Sequence, residues 1–147
     1  MDMITRIFPG EYKSLSKIGN FVEKQAVRAK FNPKDVYSIL TAVDEACSNV
    51  IDHAYGGENL GLIEISIEFD DTEFIVSILD DGLPFEPSEV PYPDITSPLN
   101  SRKERGLGVF IMRRLMDEVN FDFSTSSKNK LVMKKFRVKN EPINNGK

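Results

Sequence analysis

Glu45, Asn49 and His53 follow one another at steps of four residues. At about 100° of rotation per residue, such a series lies along one stripe of a helix. A carboxylate stacked on an amide can take up a proton or offer an oxygen to a hard cation. The same segment carries Val36, Ile39, Leu40, Val43, Cys47, Val50, Ile51 and Ala54 at three and four residue steps, which gives the helix a buried side. The polar stripe runs beside that side rather than opposite it, so its groups are partly shielded from water. A second carboxylate, Asp80, closes an alternating run on the parity of Phe74, Val76 and Ile78. Facing a core, it needs a hydrogen-bond donor to offset its desolvation. The third place is Gly106-Leu107-Gly108, ahead of Ile111, Met112, Leu115, Met116 and Val119 at helical spacing. Glycine at a helix start lets backbone N–H groups approach an anion at the positive end of the dipole, and phosphate suits such a place. Taken singly, each feature has a plainer reading: a solvated helix flank, a hairpin turn, an ordinary loop.

The elements that must position these groups follow from periodicity. Residues 4 to 8 read as a first strand closed by Pro9-Gly10, and residues 12 to 30 as an amphipathic helix through Leu15, Ile18, Phe21, Val22, Ala26 and Ala29. The organising helix comes next, capped by Asn32 or Asp35, with Pro33 in its first turn and Gly56-Gly57 at its end. Ile63, Ile65, Ile67 and Phe69 alternate with Glu64, Ser66 and Glu68, the signature of a half-buried strand. Asp70-Asp71 turns the chain into the strand that ends at Asp80. Asp80-Asp81-Gly82 resembles a hairpin turn, but no alternating strand follows it. Instead five of the eight prolines fall between Pro84 and Pro98, which opposes strand pairing. Residues 83–105 are therefore expected to form a lid over a ligand. Two strands are expected at 120–126 and 130–138, the last with ambiguous facing, and a frayed tail at 140–147. The whole predicts an α+β two-layer sandwich: a mixed, mostly antiparallel sheet with helices on one face, in a single domain over residues 1–139.

Composition narrows the function classes. The chain has 147 residues, 40% hydrophobic and 29% charged, with a net charge of -4. That length supports a core without disulfides or metal, and that charge offers no overall field for nucleic acid. One cysteine and one histidine exclude an internal disulfide and a Cys/His zinc site. Cys47 falls in the apolar stripe, as a small buried hydrophobe. No signal peptide and no membrane-length apolar run is present, which reads as a cytoplasmic protein.

Together, in their order and spacing, the three places resemble the Bergerat-fold ATPase superfamily of histidine kinases, gyrase-type ATPases and chaperones, and within it the anti-sigma-factor serine kinases. Glu45 to Asn49 with His53-Ala54-Tyr55 resembles the family's N-box, Asp80-Asp81-Gly82-Leu83-Pro84-Phe85 its adenine box, and Arg105 to Met112 its phosphate loop. The resemblance spans residues 4 to 138 and implies ATP and Mg²⁺ as cofactors. It implies that Asp80 accepts from the adenine amino group, that Gly82 leaves room for the base, and that Asn49 binds Mg²⁺. Arg105, Gly106, Leu107 and Gly108 would hold the phosphates, and Glu45 would be the general base toward a protein serine or threonine. The implied partners are a sigma factor and its anti-anti-sigma antagonist protein, with a homodimer as the assembly and neither nucleic acid nor membrane as a partner. The alternative is a non-catalytic module that inhibits a partner under control of ATP. Pro84 stands where a second glycine is common, and residues 129 to 135 lack the Gly-Thr of many relatives, which leaves the last contacts to the base unassigned. His53 is read as a polar packing residue beside the nucleotide: 147 residues leave no room for a phosphoacceptor hairpin domain, and no nucleophile turn marks a Ser-His-Asp triad.

Overall fold

The computed structural model of the chain describes residues 2–84, 104–123 and 128–137. The elements are β1 (Ile4–Pro9), α1 (Lys13–Arg28), α2 (Pro33–Asn49), a π-helical turn (Val50–Ala54), β2 (Leu62–Phe69), β3 (Glu73–Asp80), α3 (Glu104–Leu115), β4 (Glu118–Asp122) and β5 (Asn129–Phe136). Residues 85–103 of the expected lid, residues 124–127, and residues 138–147 with the expected tail lie outside the described residues.

The strands form one sheet in the order β1-β2-β3-β5-β4, and each neighbouring pair is antiparallel. This is the antiparallel-rich sheet that the alternating runs call for. Ile63, Ile65 and Ile67 of β2 and Phe74, Val76 and Ile78 of β3 turn one face of the sheet inward, where all six are almost fully buried. Against that face lie Ile18, Val22 and Ala26 of α1, Ile39, Val43 and Cys47 of α2, and Val109 and Met112 of α3. Each large side chain taken wholly from water there contributes about 1.5–3 kcal/mol. Leu131 and Met133 join the same core, which settles the facing of β5. Val132 and Phe136 point the other way, for Met133 pairs with Val76 and Leu131 with Ile78.

Helix limits follow local chemistry. Asn32 caps α2: its Oδ1 accepts from Asp35 N at 2.8 Å, and Pro33 takes the first helical position. Two limits differ from expectation. The last core helix stops at Leu115, and Val119 belongs to β4. Its apolar spacing served a strand pairing with Met133 as well as it would have served another helical turn. The organising helix loses α geometry after Asn49 and continues as the π turn, where Tyr55 N bonds Val50 O at 2.9 Å. No helix among the described residues is long and apolar enough to cross a membrane.

Candidate functional site

The end of the sheet where β3 stops and β5 begins is where the candidate groups gather. Asp80 is 8% exposed, in register with Asn129 across the β3–β5 pair. Asn129 Nδ2 donates to Asp80 Oδ1 at 2.8 Å and to Gly82 O at 2.8 Å, and Gly82 N donates to the same Oδ1 at 2.8 Å. These are the donors that a core-facing carboxylate demands. Both bonds fall on Oδ1, so Oδ2 keeps its lone pairs for a ligand. Burial raises the Asp80 carboxyl above its ordinary range, and the Asn129 and Gly82 bonds partly offset this.

Asp80 and Asn129 sit in the wall of an open cleft, together with Asn49, Ile78, Met112 and Leu131. One carboxylate and two amides in a mostly apolar wall make a place for a flat, partly polar group such as a purine. Sequence reasoning missed Asn129, which reads locally as a turn residue. Only strand register could have found it, because it reaches Asp80 from 49 positions away.

Glu45 and Asn49 stand one turn apart on α2, half-buried. Gly108 of α3 lies against both. A Cβ added there would lie 2.9 Å from Asn49 Nδ2 and 3.3 Å from Glu45 Oε2, so glycine is what admits the start of α3 to the site. Asn49 Nδ2 is buried without a hydrogen-bond partner among the described residues. Burial, with Asp44 as a second and smaller cause, raises the Glu45 carboxyl, which makes it a better proton acceptor. Arg105 and Gly106 fall in the first turn of α3, and Leu107, half-buried, follows them. The first four N–H groups of a helix lack intrahelical partners, and here these belong to residues 104–107. The structure thus brings Glu45, Asn49 and Gly108 together, with Asp80 and Asn129 lining the cleft that Asn49 shares.

Two residues have surroundings that differ from their expected ones. A Cβ on Gly82 would lie 2.5 Å from the carbonyl carbon and oxygen of Ala54. The missing side chain therefore makes room for the π turn, whose Ala54 O also accepts from Leu83 N at 2.8 Å. His53 lies inside that turn, so the α-helical stripe drawn from Glu45 through Asn49 does not continue to it in regular geometry.

The fit of Mg²⁺ rests on Asn49. A half-turn about its terminal torsion exchanges Nδ2 for Oδ1, which would offer a hard oxygen ligand from a position that otherwise bonds nothing. Among the described residues no group of three or more His, Cys, Asp or Glu could hold a metal, so such an ion would take its remaining ligands from phosphate and water.

Comparison with known proteins bears on the family and the fold. The family profile described as "Histidine kinase-like ATPase domain" matches residues 8–135. The chain is 33% identical over 127 residues to "Serine-protein kinase RsbW" of Bacillus velezensis, covering 81% of this chain and 77% of the relative. A protein of the same name in Bacillus thuringiensis is 31% identical over 99 residues, covering 64% of this chain and 61% of the relative. Among solved structures, the RsbU and RsbW domains of Rv1364c from Mycobacterium tuberculosis match with a TM-score of 0.65 at 12% identity, over 92% of this chain and 32% of that one. The catalytic domain of histidine kinase ThkA matches with a TM-score of 0.52 at 15% identity, over 92% of this chain and 97% of that one. At such identities the structural likeness speaks for the fold alone. Family profile and sequence identity together place the chain in the histidine kinase-like ATPase family, as a relative of the RsbW serine-protein kinases.

Proposed function

We propose that the chain is a cytoplasmic, ATP-dependent serine/threonine-protein kinase that acts as an anti-sigma factor, phosphorylating a small antagonist protein and sequestering a sigma factor, as a homodimer. The observation that carries this reading is the meeting of Glu45 and Asn49 with Gly108 beside the cleft that holds Asp80. A binding module that only responds to ATP has no use for a proton acceptor at that point.

In this reading Asp80 Oδ2 accepts from the exocyclic amino group of adenine, while Ile78, Met112 and Leu131 cover the ring. That acceptor selects adenine over guanine, which presents a carbonyl at the corresponding position. The N–H groups of the first turn of α3 hold the phosphates, with Arg105 beside them. Glu45 takes the proton from a serine or threonine hydroxyl as its oxygen bonds the γ-phosphorus. The bond from that phosphorus to the bridging oxygen breaks, and ADP leaves with the electron pair. Mg²⁺, held by Asn49 Oδ1 and phosphate oxygens, would neutralise charge on the phosphates. The raised proton affinity of Glu45 makes it a stronger base than an ordinary carboxylate.

The test is capture of partners from the protein's own cell extract on the immobilised protein. Mg-ATP is then added, and the captured proteins are weighed before and after, with Glu45→Ala in parallel. One phosphate gained on a small partner, with Glu45 and not with Glu45→Ala, is the expected result. A captured sigma factor with no phosphate gained on any partner would instead support inhibition without turnover.

A further inference from the structure

Tyr55 lies just past the π turn, and none of the steps above uses it. Its hydroxyl donates to Leu62 O at 2.5 Å and accepts from Asp81 N at 3.0 Å. In the β2–β3 register Glu64 pairs with Leu79, so two further steps along each strand set Leu62 opposite Asp81. A ladder would join these two directly. The phenol oxygen is inserted between them, ending the sheet just where Asp80 leaves it.

The ring has a slot prepared for it. A Cβ on Gly61 would lie 2.7 Å from the Tyr55 hydroxyl oxygen, and one on Gly10 would lie 3.4 Å from ring atom Cδ2. Gly10 N in turn bonds Gly61 O at 2.8 Å, so the slot's two glycine walls are tied together. Each residue after Asp80 is then held from a different side: Asp81 by Tyr55, Gly82 by Asn129, and Leu83 by Ala54. Two of those three holds come from the π turn and the residue that follows it. A phenol is protonated at neutral pH, so it can donate to Leu62 O, and burial raises the Tyr55 phenol further.

We propose that Tyr55 is a positioning residue for nucleotide selection: by holding Asp81 through its hydroxyl, it fixes the direction in which Asp80 presents Oδ2. This rests on the reading of Asp80 as the adenine acceptor. Removing only the phenol oxygen leaves the ring in its slot and frees Asp81 N, so the Asp80 carboxylate gains angular freedom. A loosely aimed acceptor discriminates less between an amino group and a carbonyl.

The experiment measures dissociation constants of ATP and GTP by calorimetry for the parent, Tyr55→Phe, and Ile39→Val. The last is a core change away from the cleft that controls for lost stability alone. Tyr55→Phe is expected to weaken ATP about tenfold and to narrow the ATP-over-GTP ratio, whereas Ile39→Val changes neither. Gly61→Ala, whose added Cβ would collide with the ring and its hydroxyl and so displace the hydroxyl without removing it, is expected to narrow the ratio too and gives a second reading should Tyr55→Phe fold poorly. A parent that binds ATP, together with variants that keep its ratio, would overturn the role of Tyr55 while leaving the functional reading intact. A parent that binds neither nucleotide would overturn that reading and this role with it.

Discussion

Asp80 shows how one side chain serves structure and recognition with different atoms. Oδ1 is bonded by Gly82 N and Asn129 Nδ2, and Oδ2 is left to a ligand. Asparagine at this position would retain an acceptor for both bonds and place a donor where recognition needs an acceptor. Asp80→Asn is therefore expected to fold normally and to lose ATP affinity by about a hundredfold or more. The stability effect has a definite sign. Burial raises the Asp80 carboxyl above its unfolded value, so the folded chain holds this proton more tightly, and ionised Asp80 lowers stability at neutral pH. That loss is recovered as pH falls through the window between the folded and unfolded values. Asp80→Asn removes the ionisation, and its thermal midpoint at neutral pH is expected to match or exceed the parent's. ATP binding runs the other way, weakening as pH falls through the raised folded value because recognition requires the ionised form. Calorimetric titration across mildly acidic pH checks this, and affinity rising on acidification would remove Asp80 from the role of acceptor.

At the scale of elements, the π turn between α2 and β2 matters most. By admitting an extra residue per turn, it carries Ala54 against Gly82 and presents its carbonyl to Leu83 N. Such turns inside α-helices are frequent at functional sites. A methyl group at Gly82 would press on backbone, which gives less readily than a side chain. Gly82→Ala is thus expected to cost about 1–3 kcal/mol in urea denaturation; an unchanged midpoint would mean that the two segments are not held together. Nothing in the local sequence marks this turn. The apolar series through Val50, Ile51 and Ala54 keeps a three and four residue rhythm, and one added residue shifts the rotation without breaking the pattern. The faces of β2 and β3 were legible because alternation has a single period, and the cap of α2, as Asn32 or Asp35, because its chemistry is local. Asn129 and Tyr55 were not, since each acts on a segment brought near only by strand pairing. Val119 misled for a related reason, as a few apolar residues fit a helix and a helix–strand junction alike.

The molecule as a whole separates what it binds from what holds it together. Asp80 and Asn129 pair at one end of β3 and β5, and Glu73 and Phe136 at the other. Over the 8 residues of β3 these ends lie about 24 Å apart. Just beyond the far end, Arg137 closes the structure. Its Nε donates to Asp71 O at 2.9 Å, its Nη1 to Lys30 O at 3.1 Å and its Nη2 to Ala29 O, and its guanidinium lies 4.5 Å from the centre of the Phe31 ring. One cation thereby satisfies carbonyls at the C-terminal end of α1, where positive charge is favoured, and pins the last strand to the joint between α1 and α2. Arg137→Ala abandons those bonds and the contact with Phe31, and a loss of about 1–3 kcal/mol is expected. None of this reaches the cleft, so the folded variant should bind ATP as the parent does. A ligand that binds only the folded state stabilises it by an amount set by its concentration relative to its dissociation constant. At one ATP concentration the gain in unfolding free energy should therefore be equal in parent and variant, even though the variant starts lower. A smaller gain in Arg137→Ala would show that the two ends of the sheet are coupled, and that the joint between α1 and α2 helps to shape the cleft.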